Sequence, residues 1–144
     1  MRVITEPRLS LDETVLAGRQ RDTVSLGWEE RRWNRRRLTT TGGREVALAL
    51  PTGSVLEPGA IIAVEADWYL VVESRPEPLL AIYPQSHEQA VRLAFDVGNR
   101  HFTLAVEDDE LLVPDDPAME QLVSRLGIRW ERRQAHYSPL GGDD

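Results

Sequence analysis

The chain has 144 residues, 41% of them hydrophobic, no cysteine and a formal net charge of -7. That size suits one ordinary globular domain or two small ones with thin cores. The lack of cysteine excludes a disulfide framework, a thiolate zinc site, a cysteine nucleophile and thiol redox chemistry.

No apolar run reaches the ~20 residues of a membrane span, and the opening MRVITEPRLSLDE lacks a signal peptide's hydrophobic stretch. A cytoplasmic location is expected. The charge is uneven: residues 1-75 hold eleven arginines against eleven acids, whereas residues 76-144 hold six arginines against thirteen acids. The second half therefore carries the whole imbalance and should attract cations and repel nucleic acid.

In chain order, short β-rich runs come first: Asp22-Ser25, Arg35-Thr39, Glu45-Leu50, Ala60-Glu65 and Trp68-Val72. Between them stand the turn signals Thr41-Gly42-Gly43, Pro51-Thr52-Gly53 and Glu57-Pro58-Gly59. They predict a compact all-β domain over residues 1-75, read as a protein- or peptide-binding module. Within it, Glu29 to Arg37 interleaves arginines with Trp28 and Trp33. The two glutamates dilute the charge, which favours a solvated strand face or a protein-docking surface over a nucleic-acid surface. Glu73 to Pro78, with two prolines that cannot donate to a sheet, reads as the linker.

Downstream the period changes. Leu79-Tyr83 reads as a strand, and Ser86 with Gln89 three residues later forms a capping box that opens a helix. Ala90, Leu93, Ala94 and Val97 make its buried stripe and Gly98 its left-handed stop. Phe102-Val106 and Leu111-Val113 read as strands joined by the acidic turn Glu107-Asp108-Asp109-Glu110, whose spacing lacks the alternating ligands of a calcium loop. Asp116 caps a second helix with Pro117 at its first position, Met119, Leu122, Val123 and Leu126 form its stripe, and Gly127 ends it. Ile128-Arg133 is the last strand. The order β-α-β-β-α-β predicts a ferredoxin-like domain over residues 76-135, so the chain as a whole is α+β. Residues 136-144 read as a flexible tail.

Donors for a transition metal are scarce: His87, His101 and His136 are the only histidines. One chain cannot build a four-imidazole site from them. A two-fold dimer presents each surface residue twice, so a single His on the axis becomes a facing pair, and the scarcity points to an intersubunit site if there is one. His101 follows the helix end and His136 lies near the terminus. His87 stands in a helix's first turn, where a cationic imidazole is disfavoured.

The run Ala94-Phe95-Asp96-Val97-Gly98-Asn99-Arg100-His101 is similar to the helix-ending GNRH signature of the urease accessory protein UreE family, which are nickel metallochaperones. The segment Gly43 to Gly59 also resembles that family, in the same order along the chain. The resemblance implies a homodimer joined through the C-terminal domains. It implies Ni(II) as cargo, bound at the axis by His101 of each protomer with His136 as a possible additional ligand; Zn(II) or Cu(II) could occupy the same site. It also implies delivery to apo-urease with the accessory proteins UreG, UreF and UreD. Where some relatives place extra histidines, this chain has Val113 to Pro117 and an end poor in histidine, so one metal per dimer and no storage role are expected.

No Gly-rich phosphate loop, nucleophile elbow or HExxH helix occurs, so no enzymatic activity is expected. The alternative function is a dimeric, metal-free adaptor in an assembly complex. Because a ligand imidazole must be neutral, metal binding should weaken as pH falls through about 6.5.

Overall fold

The computed structural model of the protein describes residues 1–140. It divides into two compact units, Met1–Arg75 and Pro76–Asp144. Among the described residues no helix is long and apolar enough to cross a membrane.

The first unit is built from six strands: β1 (Arg2–Ile4), β2 (Gln20–Leu26), β3 (Arg35–Thr39), β4 (Glu45–Ala49), β5 (Ile61–Val64) and β6 (Trp68–Ser74). They form two three-stranded sheets, β1-β4-β3 and β2-β6-β5. In each, one neighbour of the central strand is parallel and the other antiparallel. Alternation sets the faces: Val46 and Leu48 of β4 point into the core with Ile4, Leu70 and Val72, while Glu45 is exposed and Ala47 and Ala49 are half-buried. The sequence signals anticipated five of these strands. β1 was missed because three residues beside Pro7 give one buried position, too few to set a period.

A buried carboxylate fastens the β3–β4 hairpin to β2. Asp22 accepts hydrogen bonds from the Thr40 hydroxyl, from the Gly42 N–H at 2.8 Å and from Arg44 Nη1 at 3.0 Å. Burial alone would raise its pKa, but the bonds from Thr40, Gly42, Thr23 and Arg44 together outweigh that and hold the carboxyl below its ordinary range. Gly42 is required by space: a Cβ there would stand 2.9 Å from Asp22 Oδ2.

The second unit runs β7 (Glu77–Tyr83), α1 (His87–Asn99), β8 (Ala105–Glu107), β9 (Glu110–Pro114), α2 (Pro117–Leu126) and β10 (Arg129–Ala135). Its sheet has the order β10-β7-β9-β8 with every pair antiparallel, the ferredoxin-like arrangement expected from the element order. Both helices pack on one face through Leu93, Val97, Met119, Leu122 and Val123 against Leu80, Ile82 and Val113. Ser86 accepts from the Gln89 N–H at 3.1 Å and Asp116 from the Ala118 N–H at 2.8 Å, so both helix starts are capped as the sequence indicates.

Four details differ from expectation. Pro78 is not linker but part of β7, opposite Gln134: its carbonyl accepts from the Asp115 N–H at 3.2 Å just past the end of β9, on the side where its missing N–H has no strand partner to serve; the strands of the two units are separated by Arg75 and Pro76 alone. Ala94 is exposed and not part of the buried stripe. Phe102, Thr103 and Leu104 are not strand: the helix cap takes up Phe102, and Thr103 and Leu104 bond to Tyr137 and Leu140 instead. The start of the segment read as a flexible tail packs back onto the domain. Tyr137 is 1% exposed, its hydroxyl lies 2.8 Å from Thr103 Oγ1, and the Leu140 N–H donates to the Leu104 carbonyl at 2.8 Å. The last four residues of that segment, 141–144, lie outside the described residues.

Candidate metal-binding site

The end of α1 leaves carbonyls without intrahelical partners, and the chain satisfies them with a six-residue cap. The His101 N–H donates to the Gly98 carbonyl at 3.0 Å and the Phe102 N–H to the Val97 carbonyl at 3.2 Å. This reversal needs a left-handed residue just past the cap. That residue is His101, with φ 62°, and not Gly98, which lies inside the helix with open space around its α-carbon. Phe102 and Val97 then meet in the same apolar cluster, which is what draws the turn three residues beyond the glycine.

The conformation places His101 on the surface. Its bland role would be to cap the last carbonyls as a cation. Arg100 does this instead, donating from Nη1 to the Asp96 carbonyl at 3.1 Å. Among the described residues the His101 side chain makes no hydrogen bond or ion pair. An exposed imidazole that no described residue holds, kept in a backbone conformation that disfavours side chains, is a donor an incoming ion can use.

His136 is exposed one residue past β10. Ala135 pairs with Glu77 at the start of β7, and α1 runs back from the far end of β7, so the end of α1 and the end of β10 lie at the same end of the unit. The Tyr137–Thr103 hydrogen bond ties the segment after His136 to the segment after His101. His87 is the first residue of α1, about 18 Å along the helix from its last turn, and does not join them. Among the described residues no three His, Asp or Glu side chains gather to hold a metal within one chain. A closed site is therefore not formed by one protomer's described residues.

One apolar feature of α1 lies outside its buried stripe, toward the Ser86 and His87 end of the helix. Val91 and Phe95, four apart on α1, are 54% and 65% exposed. With Leu126, Ile128 and Arg92 they line an open, mainly apolar groove of about 930 Å³. The signal was in the sequence as a second i, i+4 apolar pair on the same helix.

A small all-β unit followed by a ferredoxin-like unit with an imidazole at its first helix end defines the class of chain. Its residues 6–75 match the family model described as the UreE urease accessory protein, N-terminal domain, and residues 77–144 the corresponding C-terminal domain. Among curated relatives, it is 34% identical over 142 residues to the urease accessory protein UreE of Synechococcus sp. (strain JA-3-3Ab), covering 97% of this chain and 95% of the relative. It is 36% identical over 109 residues to that of Deinococcus radiodurans, covering 76% and 70%, and 35% identical over 121 residues to that of Rhodobacter capsulatus, covering 84% and 75%. The chain belongs to the UreE family of urease accessory proteins.

Proposed function

We propose that this protein acts in urease maturation as a non-enzymatic nickel metallochaperone, carrying Ni(II) to apo-urease in the cytoplasm together with UreG, UreF and UreD. The observation that carries the reading is the unengaged, exposed imidazole of His101 at the end of α1. Neutral imidazole suits borderline Ni(II), and two imidazoles leave coordination positions open, so the ion can be given up again. A homodimer supplies the second His101, and the exposed Phe95 and Val91 on the same helix offer apolar area for contact between copies. His136 is the further ligand of this reading, at the same end of the domain; Zn(II) or Cu(II) would compete for the donors.

Calorimetry with Ni(II) tests the reading. Wild-type dimers should bind one ion each, and His101→Ala dimers should lose that event. If the variant binds one Ni(II) per dimer with unchanged affinity, His101 is not the site and the metal-free adaptor reading replaces this one.

A further inference from the structure

Strand β3 lies at the edge of its sheet, and its pairing with β4 fixes which backbone groups are free. The Thr40 N–H donates to the Arg44 carbonyl and the Leu50 N–H to the Asn34 carbonyl, so the pairs 40/44 and 34/50 are the hydrogen-bonded kind. Antiparallel pairs alternate, which makes 38/46 and 36/48 hydrogen-bonded as well. The N–H and C=O groups of Arg35, Arg37 and Thr39 therefore point away from β4 and, among the described residues, meet no other strand.

The side chains of Arg35 and Arg37 share the outer sheet face, being two apart. Opposite them in register stand Ala49 and Ala47, too short to cover or neutralise a guanidinium. Among the described residues the carboxylates of this unit pair with Arg2, Arg21, Arg44 and Arg75, and none pairs with Arg35, Arg36 or Arg37. Arg36 points the other way, over the Trp33 ring. The edge thus offers unpaired backbone groups and, at alternate positions, two uncompensated cations.

We propose that β3 is a docking edge for an extended acidic segment of a partner protein, which adds as a strand and sets carboxylates at alternate positions against Arg35 and Arg37. Strand addition supplies main-chain hydrogen bonds, and the bidentate guanidinium–carboxylate fit supplies selection. A second copy's β3 is the wrong occupant, since arginine would face arginine. A nucleic acid could use the charge but not the row of outward N–H and C=O groups.

The test titrates the full-length protein with a fluorescein-labelled peptide of about ten residues alternating Glu with Thr or Val, read by anisotropy at low salt. Wild-type protein should bind it, and R35E/R37E should weaken binding about tenfold or more. R35Q/R37Q, which adds no repulsion, should lose most of the binding with an unchanged melting curve, and R36E should lose less than either pair. Equal binding by R35Q/R37Q and wild type would overturn the proposal. So would equal binding of the same peptide with Gln for Glu, or tighter binding of a single-stranded oligodeoxynucleotide of similar length.

Discussion

The backbone N–H of His101 donates to the carbonyl of Gly98 at 3.0 Å, and in doing so closes α1 with a histidine in the left-handed region. Glycine is the residue that adopts φ 62° without cost, so the histidine is kept at some expense of stability. His101→Gly should leave the domain at least as stable as wild type, by up to about 1 kcal/mol, while abolishing Ni(II) binding. His101→Val, β-branched at a positive φ, should lose about 1 kcal/mol or more. Thermal unfolding in parallel with calorimetry checks both. A fall in stability for the glycine variant would mean that the turn is built around the side chain itself.

Tyr137 ties the chain back at Thr103, and its burial raises the phenol to about 12 against an ordinary 10.0, although the hydrogen bond with Thr103 works the other way. A raised pKa means the contribution is fully present below the unfolded value and is lost as pH climbs through the folded one. Stability should therefore decline between pH 10 and about 12. Tyr137→Phe should flatten that decline and cost about 1 kcal/mol at neutral pH for the lost hydrogen bond. Absorbance of tyrosinate against pH, compared between the two proteins, shows which ring titrates late.

The two helix ends show why one glycine was readable and the other misleading. At α2, Gly127 is followed at once by Ile128, and the bonds Gly127 to Ser124 and Ile128 to Val123 form the same six-residue cap. At α1 the next apolar residue after Gly98 that packs on the core is the partly buried Phe102, so the reversal waits until His101. The residue that turns left-handed is the one before the apolar residue that must return to the core, whatever its identity. Repeating patterns such as the stripes, the caps and the strand alternation were legible because they are local. The burial of Tyr137 and the pairing of β1 depend on partners distant in sequence, and no local signal announces them.

In the first unit the stability should hang on Asp22. Its pKa is lowered, so its contribution is present above the ordinary carboxylate value of 3.8 and is lost as pH falls through the lower folded value. Asp22→Ala leaves the Thr40 hydroxyl, the Gly42 N–H and Arg44 without their shared acceptor and should cost about 3 kcal/mol or more. Gly42→Ala should cost about 1–3 kcal/mol by pushing on the same carboxylate. Denaturant melts at pH 7 and near pH 3 give the check: wild type should lose stability at the lower pH, and Asp22→Ala should lose markedly less.

The exposure of Phe95 leads to the sharpest test of a shared site. An aromatic ring left 65% open six residues before His101 is area that water should not keep if two copies meet there. Phe95→Glu puts a charge on that surface, and two such charges across a two-fold axis should weaken association by about 100-fold or more. Light scattering should report a dimer for the wild type and a monomer for the variant. His101 is untouched in the variant, so the loss of Ni(II) binding by Phe95→Glu at concentrations where it is monomeric would tie the metal to the pair of imidazoles. Retention of full affinity by that monomer would mean that one chain, using His136 or solvent, completes the site alone.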